Sequence, residues 1–478
     1  MERSGIAMAK ALFIGGTASH VGKSWFTAAF CRLLTRRGVR VAPFKAQNMS
    51  NNSYPCVEGG EIGRAQAMQA EACGLPAMAD MNPVLLKPNS ATGSQVVVHG
   101  RVWANVEAKE YYTHSDKLLG LAWESYQRLA AQFDHIVAEG AGSIAEVNLR
   151  ERDITNMRMA ALMQARTVLV ADIERGGVFA SLVGTMDLLP PEHRGMVKAF
   201  AVNRFRGDRS LFDEGVRFLE GRLGIPCLGV FPLDPAIVLD EEDSLGIDET
   251  GSLDGNVAVI RLPHISNFTD FRALGNVAWI HKPNEKQYRV VFLPGTKNTI
   301  EDLAWLKQQG LDVWIRKQHA GGAQIVGICG GYQMLGHRVE DPDGVESSLG
   351  AIDGLGMLPV STVLRSPKVT RVVSALTPGG LAFTGYEIHM GETARPDGVE
   401  SFAYHVEEGS AEGCRMPGVM GTYLHGAFED AGVVDELLGL KIETTSKSVM
   451  YDRLADWLVQ YSRQIGRASC RERVCLAV

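Results

Sequence analysis

The run Gln324-Ile325-Val326-Gly327-Ile328-Cys329-Gly330-Gly331-Tyr332-Gln333-Met334-Leu335-Gly336 constrains the fold more than any other part of the chain. A short apolar, partly β-branched stretch reads as a buried strand, and it passes through Gly-x-Cys-Gly-Gly straight into a helical stretch. A strand-to-helix turn this tight belongs to a parallel sheet covered by helices. It strains the central residue outward, sets Cys329 at a helix N-terminus that favours thiolate, and offers the N–H of Gly330 to a developing oxyanion. Cys329 is the candidate nucleophile, and a cysteine nucleophile needs a base. His425, in Gly421-Thr422-Tyr423-Leu424-His425-Gly426, follows a β-prone run and precedes a glycine that leaves room to approach the thiol. The strand-end loop Phe292-Leu293-Pro294-Gly295-Thr296-Lys297 makes Gly295 the candidate second donor to the oxyanion.

A second glycine-rich turn lies near the start. The strand candidate Ala11–Ile14 runs into Gly15-Gly16-Thr17-Ala18-Ser19-His20-Val21-Gly22-Lys23-Ser24 and then a helical stretch. Backbone N–H groups over Gly16, Thr17, Ser19, Val21 and Gly22 suit phosphate oxygens. Lys23 reaches the β/γ-phosphates, and Ser24 supplies a hydroxyl for Mg²⁺. The spacing departs from the standard loop: Thr17 stands where the first glycine belongs. Lys45 and Glu139 each end a strand candidate, Lys45 as a nucleotide-site lysine and Glu139 as a Mg²⁺ carboxylate. Asn203 closes another strand and is expected to read a base edge or to serve the turn. ATP and Mg²⁺ are the expected cofactors of this half.

Strand candidates Val39–Phe44, His135–Ala138, Thr167–Ala171, Ala199–Val202 and Cys227–Phe231 alternate with helical stretches at 22–37, 116–132 and 210–223. A second series, with strands Val257–Leu262, Tyr288–Leu293 and Gln324–Ile328 and helices near 299–308 and 331–337, follows an acidic stretch between Pro232 and Asn256. The expected fold is therefore α/β, with two doubly wound parallel-sheet domains. Residues 1–245 form the first and 252–445 the second, 446–466 are a C-terminal helix, and 467–478 read as a non-native tail. The 52 glycines in 478 residues exceed the usual share of about 7% and suit many tight turns around ligands. A net charge of −7 gives no electrostatic footprint for nucleic acid or an anionic membrane, which leaves small-molecule chemistry. The eight cysteines show no CxxC pair or zinc spacing, and neither a signal peptide nor an apolar membrane span is evident. The expected setting is cytoplasmic; a homo-oligomer is left open.

The first half resembles P-loop enzymes of the dethiobiotin synthetase type, which share the Gly-Thr-x-x-x-Val-Gly-Lys-Ser/Thr spacing. The second resembles class I glutamine amidotransferases. Their fusion in this order, with Pro43-Phe44-Lys45-Ala46-Gln47-Asn48-Met49-Ser50, Glu61-Ile62-Gly63-Arg64-Ala65-Gln66, Asp172-Ile173-Glu174-Arg175-Gly176-Gly177, Asn203-Arg204-Phe205-Arg206-Gly207-Asp208 and Tyr386-Glu387-Ile388-His389-Met390-Gly391, resembles the cobyric acid synthase family over residues 10 to about 460. The resemblance implies amidation of the b, d, e and g carboxylates of adenosylcobyrinic acid a,c-diamide, with ATP as energy source and L-glutamine as ammonia donor. The alternatives are a cobyrinic acid a,c-diamide synthase and a P-loop ATPase with a degenerate amidotransferase module. The resemblance also implies Glu139 and Glu61 as metal carboxylates. Glutaminases of this class with a complete triad carry a glutamate two positions after the histidine; here that position is Ala427, so any acid orienting His425 comes from elsewhere or is absent. His389 is open between a second base, a corrinoid contact and a packed strand residue.

Overall fold

A computed structural model describes residues 9–88, 93–237, 239 and 255–463. The expected domain boundary near 245–252 and the tail from 467 lie outside the described residues.

In the first half six strands form one wholly parallel sheet, in spatial order Cys227–Pro232, Val197–Phe205, Arg166–Asp172, Lys10–Gly16, His135–Glu139 and Val41–Phe44. The strand Lys10–Gly16 is central and buried at its carboxyl end, with Gly16 opposite Val170. Parallel strands need a crossover between them, so their carboxyl ends share one edge, and the loops that bind ligands gather there. The helices Lys23–Arg36, Ser115–Gln132 and Asp213–Leu223 occupy the stretches the sequence pattern assigns to helices. Beside this sheet stands a smaller four-stranded one (Gln47–Met49, Val84–Pro88, Gly93–Val98, Arg101–Glu107), which the sequence pattern does not show.

In the second half the strands Ala278–Ile280, Val257–Ile260, Val290–Leu293, Gln324–Ile328 and Val419–Thr422 form a second parallel sheet, edged by the antiparallel Cys414–Met416. Between Gly336 and Cys414 the chain leaves this sheet. It builds a mostly antiparallel layer around the long ribbon Ser361–Leu376 and Ala382–Ala394, a departure from a purely parallel second half. The ribbon's mixed exposure explains why alternation did not mark it: its outer residues are half-wet and its inner ones touch the first half.

The C-terminal helix Lys447–Tyr461 does not stay with the domain that precedes it. It returns to the first half and packs on the helix Lys23–Arg36 and the strand Cys227–Pro232. Trp457 fills the space between Phe26 and Phe231, at ring-centroid distances of 5.4 and 4.8 Å, and donates its indole N–H to Pro232 O at 3.0 Å. Arg32 grips Asp452 through two hydrogen bonds of 2.8 and 2.9 Å. Trp457 is buried, so Trp457→Ala both exposes apolar surface and opens a cavity, and the expected cost is about 3–5 kcal/mol. Thermal unfolding should show it as a clear drop in midpoint. An unchanged midpoint would mean that the helix merely lies on the surface.

Candidate active site

Two sites lie at strand ends, one in each half. At the first, the turn after the central strand is closed from below: Asn203 donates its side-chain N–H to Val21 O at 2.9 Å, and Thr17 N–H bonds Val170 O. A Cβ on Gly22, which has φ of 99°, would run into Asn203 Nδ2. Glycine is thus required here by both backbone and contact. Lys23 bends over the loop and donates to Ala18 O and Gly142 O at 2.9 and 3.0 Å, the two sides of the cradle in which a phosphate would sit. Ser24 donates to Glu139 Oε1 at 3.0 Å, and Lys45 pairs with the same oxygen at 3.1 Å. Gln69, which the sequence did not single out, donates to Glu139 Oε2 at 2.5 Å. Ser19 lies exposed at the loop's lip, and Val21 is buried beneath it. The loop residues, Lys23, Ser24, Lys45 and Glu139 therefore converge.

Of the two roles expected of Asn203 the structure shows the one in the turn: the residue is buried and gives a side-chain N–H to Val21 O of the loop. One expectation changes. Glu61 is not at the phosphate loop. Its Oε2 accepts from Lys87 at 2.7 Å and Ser53 at 2.6 Å, and its Oε1 accepts from Lys368, on the ribbon of the other half, at 2.6 Å. Lysines hold both oxygens, and their charges outweigh burial to keep the carboxyl well below its usual range. It is a cross-domain ion-pair centre, not a metal ligand. Sequence position alone could not show this, because the two lysines that hold Glu61 lie 26 and 307 residues away.

At the second site the strand Gln324–Ile328 ends at Cys329, whose φ of 52° and ψ of −110° lie in strained, left-handed territory. The hydrogen bond from its N–H to Thr422 O (2.8 Å) and the helix start at Gly330 hold it there. A Cβ on Gly331 would strike Leu293 O, which is why the turn takes a second glycine. Gly330 packs under Thr296: a Cβ there would be 3.2 Å from Thr296 N. Gly295 lies against His425, 2.9 Å from Cε1 by the same measure. The two expected oxyanion loops are therefore neighbours around the thiol and the imidazole.

His425 is almost wholly buried, beside Cys329, and its Nδ1 meets Asp270 Oδ2 at 2.7 Å; Asp270 is equally buried. The second oxygen of Asp270 accepts from Gly426 N–H at 2.8 Å, which fixes the carboxylate against the turn that carries the histidine. Burial alone would disfavour the imidazolium. The Asp270 charge and hydrogen bond, with the Cys329 contact, outweigh it and push the His425 pKa up to about 10. The orienting acid missing at position 427 thus comes from the 3₁₀ turn Phe268–Leu274, far upstream in sequence. Ala427 is buried in the core beside Phe428. The one available signal for Asp270 is the Asn267-Phe268-Thr269-Asp270 turn after a strand, and it is too common to read. His389 stacks on Tyr423 at 3.8 Å and bonds Gly391 O through Nδ1 at 2.9 Å, and burial pushes its pKa down to about 4. It lines the cavity at Cys329 as a neutral ring.

A cysteine on an elbow, a carboxylate-paired histidine and two neighbouring strand-end loops suit a glutamine amidotransferase, here joined to a phosphate-loop domain. Residues 256–433 match the CobB/CobQ-like glutamine amidotransferase domain, and 12–246 match the CobQ/CobB/MinD/ParA nucleotide binding domain. The chain is 44% identical to the cobyric acid synthase of Syntrophobacter fumaroxidans over 95% of its length and 97% of the relative's. It is 45% identical to that of Parabacteroides distasonis over 92% and 94%. With the probable cobyric acid synthase of Methanoculleus marisnigri the identity is 48% over 89% of each. The chain belongs to the cobyric acid synthase family. No helix among the described residues is long and apolar enough to cross a membrane.

Replacing Asp270 by Asn removes the charge that stabilises imidazolium but keeps the shape. Glutamine hydrolysis should fall by about 10²–10⁴. Because the His425 pKa then drops, the alkaline limb of the rate of Cys329 alkylation against pH should move to lower pH. An unmoved limb would show that Asp270 does not orient the base.

Proposed function

We propose that the chain converts adenosylcobyrinic acid a,c-diamide to cobyric acid by amidating its b, d, e and g carboxylates, with ammonia from glutamine and energy from ATP. One observation carries this reading: a phosphate cradle and a buried Cys329–His425–Asp270 constellation on one chain, in a family whose curated members bear this name.

In the glutaminase half, Cys329 thiolate attacks the side-chain amide carbon of glutamine. The oxyanion lies within reach of the N–H groups about Gly330 and the Gly295–Thr296 loop. His425 gives its proton to the departing ammonia, and the γ-glutamyl thioester is then cleaved by water that His425 deprotonates. Asp270 holds the ring in one tautomer and supports its charge. In the other half Lys23 and the loop N–H groups bind the triphosphate of ATP. A corrinoid carboxylate attacks the γ-phosphorus, ADP leaves, and ammonia displaces phosphate from the acyl phosphate.

The donors present suit Mg²⁺. Ser24 Oγ and Glu139 are hard oxygen ligands at the end of the phosphate loop, and no cluster of three or more His, Cys, Asp or Glu side chains among the described residues competes as a dedicated metal cage. Ser24 and Glu139 would hold the ion, which supplies charge neutralisation on the transferring phosphate. Lys45 and Gln69 keep Glu139 pointed at the loop.

The division of labour has two checks. Cys329→Ser should abolish amidation with glutamine and leave it intact with added ammonium salt, followed by mass spectrometry of the corrinoid product. Lys23→Ala should abolish amidation from either nitrogen source while Cys329 still reacts with a glutamine-analogue alkylator. Loss of ammonia-driven turnover in Cys329→Ser would refute separate sites. Amidation of cobyrinic acid at its a and c carboxylates, with no mass gain on the a,c-diamide, would point instead to a cobyrinic acid a,c-diamide synthase.

A further inference from the structure

The segment Lys45–Ser53 leaves the phosphate-loop site and arrives at the glutaminase histidine. Its first residue pairs with Glu139 beside Ser24. Its strand Gln47–Met49 pairs with Val84–Pro88, and Ser50 N–H bonds Leu86 O. Asn52 is then held rigidly, its N–H on Ser50 Oγ and its carbonyl accepting from Arg64 N–H. From this seat it crosses to the other half. Asn52 Oδ1 accepts the Asn267 N–H at 2.7 Å, and Asn267 Oδ1 accepts the Ser53 N–H at 3.0 Å, a reciprocal pair buried on both sides. Asn267 has a φ of 53°, caps the turn that carries Asp270, and points its Nδ2 at His425 Nε2 at 3.4 Å. Two residues further on, the Tyr54 ring lies 4.9 Å from that of Tyr386, which stacks on the His425 ring at 5.2 Å and 20°. Tyr386 and His425 also exchange backbone hydrogen bonds of 3.0 and 2.9 Å.

We infer that Asn52 and Tyr54, residues of the nucleotide-binding half, are positioning residues for the glutaminase reaction: they hold Asn267 and Tyr386 against His425 and so fix the base in its reactive place. The inference rests on the glutaminase reading above. The physical reason is reach. Asn267 takes the left-handed conformation that asparagine tolerates, so its place is set by what its polar groups hold. Both polar grips on Asn267, at its N–H and at its Oδ1, come from the other half. A shift of the Ser50–Tyr54 segment therefore moves Asn267, the Asp270 turn and the stacked Tyr386 together, and all three touch His425. The same segment begins at the lysine that contacts Glu139, so ammonia is released efficiently only when the phosphate-loop half is docked in this arrangement.

The test uses the full chain. Asn52→Ala removes the acceptor for Asn267; Tyr54→Ala removes the ring, and Tyr54→Phe restores it. Glutamine hydrolysis is measured as kcat and KM, with ammonia-driven amidation and the pH profile of Cys329 alkylation by iodoacetamide in parallel. Expected for both alanine variants is a fall in glutaminase kcat of about 10–100-fold at nearly constant KM, a shifted alkylation profile and an ammonia-driven rate within about threefold of the parent's. Tyr54→Phe should return all three to the parent's values. An unchanged kcat, or a rise in KM alone, overturns the inference. So does a Tyr54→Phe as impaired as Tyr54→Ala. If Asn52→Ala does not fold, seen as loss of the ammonia-driven rate, the Tyr54 pair decides. Failure of the glutaminase reading itself would show differently, as parent enzyme whose glutamine hydrolysis survives Cys329→Ser.

Discussion

The architecture turns on one carboxylate. Glu61, almost wholly buried, sits between Lys87 of its own half and Lys368 of the other, at 2.7 and 2.6 Å. A buried charge pair is costly to assemble and costlier to break, since removing one partner leaves the others desolvated and unpaired. The triplet therefore works less as glue than as a register pin: the halves dock where all three charges meet, or poorly. Burial pushes the Lys87 pKa down to about 7 in spite of Glu61, so its charge depends on that carboxylate. Lys87 and Lys368 also line the cavity at Cys329, so the ion pairs that join the halves form part of the glutaminase wall.

Around this pin the chemistry follows from the parallel sheet. Each element of the two candidate sites lies at the carboxyl end of a strand: the phosphate loop, Glu139, Lys45, Cys329 and, just past Thr422, His425. In both halves the sheet edge gathers residues remote in sequence, and close neighbours leave no room for a side chain at the turns, the Asn203 amide at Gly22 and the Leu293 carbonyl at Gly331. One buried carboxyl behind the second site is well held. Glu412, pushed up to about 8 by burial, takes Thr422 Oγ1 and Tyr423 N–H and so stiffens the strand end just before the histidine. Strain at Cys329 is affordable because such partners hold both flanks.

The two halves are also laced together by the chain itself. The C-terminal helix leaves the glutaminase half and completes the hydrophobic layer behind the helix that follows the phosphate loop, through Trp457, Leu454 and Leu458. The lysine-bearing ribbon descends from the glutaminase half onto Glu61, and the Asn52–Tyr54 stretch rises from the nucleotide half onto His425. Three separate crossings restrain the relative placement of two active sites that must exchange a small, neutral and diffusible molecule.

Much of this was written in the sequence because it depends on neighbours along the chain. The strand Gln324–Ile328, the elbow at Cys329 and the phosphate loop with Lys23 and Ser24 are local devices, in which glycines, a short apolar run and one reactive residue at fixed offsets leave few conformations open. Alternating strands and helices likewise mark the six strands of the first parallel sheet to within three residues at either end, and Val257–Ile260, Val290–Leu293 and Gln324–Ile328 of the second, but not Ala278–Ile280 or Cys414–Met416. What only the tertiary structure decided are pairings between distant segments. Asp270 replaces the acid expected beside His425; Glu61 serves lysines instead of a metal; Asn203 braces a loop; a four-stranded sheet and a long ribbon lie where periodicity was mixed; and the last helix joins the first domain. No local pattern encodes these, because an acid beside a turn looks the same in sequence whether its partner is an imidazole, a lysine or a metal ion. The partner is fixed by which sheet edges and crossings bring charges together in a dry place, where a wrong pairing costs more than the chain can offset.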